Sequence, residues 1–378
     1  MELEKLNIID KELIDRAKKI LYANIRLAEK DGMGNSLFDN YRAIIPSPST
    51  YLGVWNWDAA FHMIGMSHFD TEIAGEQAKI MFKFQKENGQ FPDCILSSGK
   101  VIDGFTKPPV WGFAVMYSDR ISPDDEFLKY SYPFLTRNIE WWETDRYDGI
   151  LFSYKVNKFE SGWDNSIRWD FPDKIDNLYA VDCNCFIYSY YEGMEYIASR
   201  LGYVNDVELY RNKKQDLAKK INTILYDTKK KAYCDYNWKR KRFTNKLSPA
   251  SFMPLWCNIA SEKQAEAMAE LAGSKNYFYK GIPTISYNNK RYNSKKYWRG
   301  PCWLNTAYFT IKGLLNYNYN KLADELRDNI LEWCYREGDY YEYYDSISGK
   351  GLGAKGFGWS SVFVIELVLI RNKLNIKE

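Results

Sequence analysis

Three stretches of the chain set carboxylates among aromatic rings. ESGWDNSIRWD, at 160–170, gathers Glu160, Asp164, Arg168 and Asp170 around Trp163 and Trp169. PSPSTYLGVWNWDAAFHMIGM, at 46–66, puts Asp58 directly after Trp55 and Trp57, and GDYYEYYDSISG, at 338–349, sets Glu342 and Asp345 among four tyrosines. A carboxyl group against ring walls loses hydration, so its pKa rises and it can act as a general acid, whereas a solvated one stays ionised and can act as a base. Trp and Tyr add a flat face that stacks on a sugar ring and a polar edge that meets its hydroxyls. Two carboxylates on separate loops are what glycoside hydrolysis requires, one to protonate the leaving oxygen and one to activate water or to attack. Residue chemistry alone leaves the pairing open, because 49 acidic residues offer many pairs. Asp58 could equally cap the helix that follows it.

Bulk composition excludes several alternatives. With 52 Lys and Arg against 49 Asp and Glu, the formal charge of +3 lacks the basic excess of a nucleic-acid binder. The N-terminal stretch is charged from its second residue and no run approaches the roughly 18 apolar residues of a membrane span, so a soluble, cytoplasmic protein is expected. Seven scattered cysteines, an odd count that includes Cys183 and Cys185, suit reduced buried thiols better than a disulfide framework or a metal site. His62 and His68 are the two histidines; His62 follows Asp58 on the same expected helix, either as a core residue or reaching across a pocket.

The elements that must position these groups are helical. Apolar residues recur at steps of three and four in 11–30 and 206–225, and further helices are expected over 57–68, 72–86, 109–119, 124–143, 182–201, 249–258, 261–272, 302–316, 319–336 and 359–371. Asp70 reads as an N-cap, Asn88-Gly89 as a stop and Ser122-Pro123 as a start. The best strand signal is a hairpin over 226–243, whose basic turns read as solvated rather than as a nucleic-acid patch. No linker divides the chain, so residues 1–378 are expected to form one all-α domain. The Trp- and Pro-bearing clusters fall between helices, at 45–58, 88–109, 158–174, 281–301 and 338–359. About six antiparallel helical hairpins with these long loops at one end make an (α/α)6 barrel, with the loops carrying function.

ESGWDNSIRWD resembles the ESGWD-S-RW signature of trehalases of glycoside hydrolase family 37 and of family 63. YWRGPCW at 297–303, WNWD at 55–58, EYYDSISG at 342–349 and GFGWSS at 356–361 are similar to further motifs of those enzymes, in the same order. The resemblance implies an inverting glycosidase in an (α/α)6 barrel, with Asp164 the general acid and Glu342 the general base and no metal or other cofactor. It places Tyr51, Trp55, Trp57, Asp58 and Phe61 around the glycone, and Trp163, Tyr297, Trp298, Arg299, Trp303 and Trp359 around the rest of the pocket. Arg168 would hold a neighbouring carboxylate through a fork-like ion pair.

Among these families the chain most closely resembles compact enzymes that cleave small α-glycosides, mannosylglycerate and glucosylglycerate hydrolases. The implied partner is a small carbohydrate, with no nucleic acid or membrane, and the protein a monomer or small homo-oligomer. Two departures stand out. Lys107, in TKPPVWG, occupies a common Gln position, where it could meet an anionic substrate group or pair with an acidic neighbour such as Asp103. Asn56 replaces a glycine of some glycerate-cleaving relatives, which leaves glycerate specificity open. A sugar epimerase or isomerase on the same toroid is disfavoured by having only two histidines, and an inactive sugar-binding protein by the presence of both carboxylates.

Overall fold

The computed structural model of the protein describes residues 6–26, 38 and 40–374. Twelve α-helices occur among them: α1 Ile8–Ala23, α2 Asn56–Ser67, α3 Thr71–Lys83, α4 Trp111–Ile121, α5 Asp125–Trp141, α6 Val181–Leu201, α7 Val204–Ile224, α8 Met253–Trp256, α9 Glu262–Ala272, α10 Leu304–Asn316, α11 Asn320–Arg336 and α12 Gly358–Arg371. All twelve expected helices have counterparts, with local corrections. The first ends at Ala23, where Asn24 turns the chain into a short strand, and residues 27–30 lie outside the described set. Over 249–258 a 3-10 turn gives way to the four-residue α8, which carries Pro254 in its first turn. The helix after Ser122-Pro123 is capped by Asp124, which accepts from the Phe127 amide at 3.0 Å.

The chain divides into two compact units. The first comprises residues 1–145, 189–214 and 354–378. Its centre is α2, buried along its whole length and packed against α3, α4 and α12. Gly65 lets α2 approach α12, since a Cβ there would stand 2.6 Å from a Val362 methyl. The apolar stripe Leu13, Ala17 and Leu21 of α1 faces α12, and buried Asp10 pairs with Arg371 and accepts from Asn372, tying the two helices. Asp70 caps α3 as the sequence predicts, accepting from the Ile73 amide at 3.0 Å, a contribution of about 1 kcal/mol. A three-stranded sheet, Gly53–Trp55 with Cys94–Leu96 and Val101–Ile102, leads directly into α2.

The second unit comprises residues 146–188 and 215–353. In it α10 packs against α8 and α11, with Phe186, Trp256 and Phe309 forming an aromatic cluster. The expected single hairpin over 226–243 is two: Tyr226–Asp227 pairs with Ala232–Tyr233, and Tyr236–Asn237 pairs with both Arg242–Phe243 and Leu178–Tyr179. Tyr341–Tyr344 and Gly351–Lys355 form another two-stranded sheet, in a region read from sequence as loop.

Candidate active site

In the second unit, residues 160–170 form two 3-10 turns separated by the segment that carries Asp164. Glu160, fully buried, accepts from Arg146 at 2.6 Å and from the Lys155 amide at 2.7 Å, which fixes the entry to this loop. Arg168 is equally buried. Its Nε and Nη2 fork onto Asp235 at 2.9 and 2.8 Å, and Nη2 also donates to Asp182 at 2.5 Å. Burial alone would favour discharging the guanidinium, but the charges of Asp182 and Asp235 and their hydrogen bonds outweigh it, and its pKa lies above the ordinary arginine value. The cation also lies 4.9 Å from the ring of Trp163 and 4.4 Å from that of Trp169. The fork-like pairing expected of Arg168 therefore involves two carboxylates, reached from α6 and from the loop between the small hairpins.

The YWRGPCW segment grips the same loop. The Trp298 amide donates to Asn165 Oδ1 at 3.0 Å, Arg299 donates to the Asn165 carbonyl at 3.0 Å, and the Tyr297 hydroxyl lies 3.4 Å from Asp164 Oδ2. Arg299 also forks onto Asp170 at 3.0 and 2.7 Å, so it braces the loop from its far end. Burial would raise the Asp170 pKa, yet its hydrogen bonds to Arg299 and Arg291 hold it below the ordinary value. Lys246 closes the turn through the Arg168 and Asp170 carbonyls at 3.2 and 2.7 Å. Tyr297 takes a left-handed backbone with φ 44°, a conformation that costs a non-glycine residue of order 1–3 kcal/mol and persists only where surroundings enforce it.

Glu342 sits on the Tyr341–Tyr344 strand and is 5% exposed, whereas Asp164 is half-buried. Burial thus runs opposite to the simple expectation that the drier carboxyl is the acid. Gly353 makes room for Glu342: with φ 74° it has no side chain where a Cβ would stand 2.5 Å from Oε2. Cys302 and Tyr344 exchange two backbone hydrogen bonds of 2.8 Å, and Ser346 Oγ donates to the Gly300 carbonyl at 2.6 Å. YWRGPCW therefore touches the Asp164 loop with one end and the Glu342 strand with the other. Asp345 has a different duty, accepting from the Ile347 amide at 3.0 Å to shape the turn.

In the first unit, Trp55 occupies the N-cap of α2 and Asp58, 4% exposed, lies inside its first turn. The capping role considered for Asp58 is thus not the observed one, although an anionic group is favoured at this helix end. Trp57, Phe61 and Trp359 form an aromatic cluster in which Trp359 meets the other two edge to face, with Trp57 and Trp359 centroids 4.9 Å apart, and Tyr51 meets Trp55 at 5.2 Å. His62 is completely buried beside Gly358, where a Cβ would stand 2.1 Å from Nε2. Burial pulls its pKa down to about 3, against an opposing hydrogen-bonding pull from the Ile44 backbone.

Lys107 pairs with Asp93 at 3.0 Å, both nearly buried, while the suggested partner Asp103 instead lies 3.4 Å from Lys86 near the surface. Asn56 is a scaffold residue: its Nδ2 donates to the Pro92 carbonyl at 2.8 Å and its Oδ1 accepts from Trp111 Nε1 at 2.8 Å. Asp93, Asp182 and Asp235 lie outside the sequence motifs, and their roles are set by tertiary contacts that no local motif announces. All seven cysteines are buried thiols outside any disulfide, and among the described residues no helix is long and apolar enough to cross a membrane.

The model of the mannosylglycerate hydrolase MGH1-like glycoside hydrolase domain matches residues 51–360. A mannosylglycerate hydrolase from Rubrobacter radiotolerans is 23% identical, the match covering 86% of this chain and 92% of that protein. The crystal structure of a family 63 mannosylglycerate hydrolase from Thermus thermophilus, in complex with Tris, superposes with a TM-score of 0.82 at 22% identity, covering 95% of this chain and all of that one. Neutral trehalase Nth1 from Saccharomyces cerevisiae follows at TM-score 0.73 and 17% identity, covering 95% and 81% respectively. The fold class is thus the all-α (α/α)6 kind expected from the sequence, shared with family 63 and trehalase structures.

Proposed function

Because the chain belongs to the mannosylglycerate hydrolase MGH1-like family of glycoside hydrolases, we propose that it hydrolyses a small α-mannoside or α-glucoside of the glycosylglycerate or disaccharide type, with inversion at the anomeric carbon. Asp164 protonates the glycosidic oxygen as the bond to the anomeric carbon breaks. Glu342 takes a proton from the water that attacks the opposite face, and a β-configured sugar leaves with the free alcohol of the aglycone. The observation that carries this reading is the YWRGPCW bracket, which holds the Asp164 loop through Asn165 and the Glu342 strand through Cys302. Such bracing suits two groups that must keep a fixed separation through a reaction cycle.

The aromatic cluster of Trp57, Phe61 and Trp359 supports a glycone-binding role for the first unit, as does the buried Asp58 beside it. The family match draws on residues of both units, which supports one catalytic domain over 1–378. Seven buried thiols outside any disulfide favour a reducing compartment, and we place the enzyme in the cytoplasm. The Lys107–Asp93 pair favours a scaffold role for Lys107 over reading of substrate charge. The test is turnover of mannosylglycerate, glucosylglycerate and aryl α-glycosides by the wild type, Asp164→Asn and Glu342→Gln. Each variant should lose at least about 10²- to 10⁴-fold in kcat while keeping the wild-type fold. Wild-type turnover by either variant refutes that assignment.

A further inference from the structure

Four aromatic planes run between the chain neighbours of the two carboxylates. Trp163, beside Asp164, stacks on Trp298 at 5.0 Å and 25°. Trp298 stacks on Trp303 at 3.8 Å and 9°, and Trp303 on Tyr343, beside Glu342, at 4.9 Å and 21°. The two inner rings are therefore sandwiched, and their faces are spent on other rings. Both are 1% exposed. A sugar cannot stack on a face that another ring covers, so Trp298 and Trp303, expected around the pocket, do not offer those faces to a substrate.

We infer that this column is a spacer that fixes the separation of Asp164 and Glu342, with Trp298 and Trp303 as positioning residues. Ring thickness sets the closest step, Trp298 on Trp303, because parallel aromatic planes cannot approach closer than van der Waals contact, and the two outer steps are wider, tilted stacks that still block any closer approach. Both ends are anchored. The Arg168 cation backs Trp163 at 4.9 Å and is itself held by Asp182 and Asp235. At the other end, Tyr343 belongs to the strand that Cys302 bonds through Tyr344. Trp303 is the N-cap residue of α10, and its Nε1 donates to the Tyr297 carbonyl at 3.0 Å, so the middle of the column is fixed to a helix. The separation of the two carboxyls decides whether a glycosidase inverts or retains configuration, so a rigid spacer here governs the reaction's outcome. That catalytic meaning rests on the assignment proposed above, whereas the spacer geometry does not.

The test compares Trp303→Phe, which keeps a ring plane in the column, with Trp303→Leu, which removes it. Crystal structures of both variants and the wild type give the Asp164 Cγ to Glu342 Cδ distance, and kinetics on aryl α-mannoside and aryl α-glucoside give kcat and KM. Trp303→Leu should change the separation by about 1 Å and cost about 10²-fold in kcat with KM held within about threefold, and Trp303→Phe should recover at least about tenfold of that loss. A separation unchanged to within about 0.3 Å in Trp303→Leu overturns the spacer. So does a rise in KM at constant kcat, which would mark a substrate contact. If the wild type turns over no α-glycoside, the catalytic assignment falls and the distance measurement alone judges the column. Should Trp303→Leu not fold, Tyr343→Leu at the half-buried end of the column carries the same comparison.

Discussion

Replacing Arg168 with Met should destabilise the protein by about 3–5 kcal/mol. The magnitude follows from what the change strands. Asp182 and Asp235 are 0% and 3% exposed, and the guanidinium between them makes three charge-assisted hydrogen bonds of 2.9, 2.8 and 2.5 Å. Met has similar bulk and can lie between Trp163 and Trp169, so lost volume is a small part of the cost. The larger part is two buried carboxylates that lose the guanidinium bridging them. At roughly 2–4 °C per kcal/mol for a large domain, the melting temperature should fall by about 10 °C. Arg168→Lys retains the charge but not the fork onto Asp235 or the planar stacking, and should lie between the two. Adding Asp182→Asn and Asp235→Asn to Arg168→Met removes the stranded charges and should recover at least half of the loss. Differential scanning calorimetry at neutral pH measures all four proteins. An Arg168→Met protein that melts within about 2 °C of the wild type would mean that the buried carboxylates do not depend on the guanidinium.

Three further predictions concern the first unit. Because the folded His62 pKa is about 3 against an ordinary 6.5, the unfolded chain binds a proton that the folded one refuses between those values. Its contribution is fully present above pH 6.5 and lost as pH falls toward 3, about 2 kcal/mol of it by pH 5; thermal melts from pH 7 to 5 should show a shallower decline in His62→Leu, and an unchanged slope would contradict the neutral buried state. Gly358→Ala drives a methyl onto the His62 ring and should cost about 1–3 kcal/mol, measured by denaturant unfolding, with a neutral effect arguing against the close packing of α12 on α2. Lys107→Gln leaves the buried Asp93 carboxylate uncompensated, so it should lower stability by about 2–4 kcal/mol while the ratio of kcat/KM on mannosylglycerate to that on a neutral aryl α-mannoside stays within about twofold; a large shift in that ratio would make Lys107 a reader of substrate charge.

The helices were legible because their apolar repeats extend over ten residues or more, enough turns for a 3.6-residue period to register. The short sheets that hold candidate residues were not. Gly53–Trp55 and Tyr341–Tyr344 are three and four residues long, and a two-residue period over so few positions is indistinguishable from loop. In YEYY the alternation is visible once Glu342 and Tyr344 are known to point inward. Among the candidate residues, the carboxylates stood out because Asp58 and Asp164 directly follow tryptophans and Glu342 lies among tyrosines. What holds them was hidden: Arg168 finds Asp235 and Lys107 finds Asp93 only through the fold, and Arg299 turned out to brace the Asp164 loop. The ring column was spelled out in the motifs as Trp163, Trp298, Trp303 and Tyr343, but its stacking order is a property of tertiary packing.

The most direct measurement is the configuration of the sugar first released, followed by proton NMR during the opening minutes of wild-type hydrolysis of an α-mannoside or α-glucoside, before mutarotation equalises the anomers. The β-anomer should appear first, and Asp164→Asn and Glu342→Gln should each abolish its appearance. Release of the α-anomer first would contradict inversion and the roles assigned to Asp164 and Glu342.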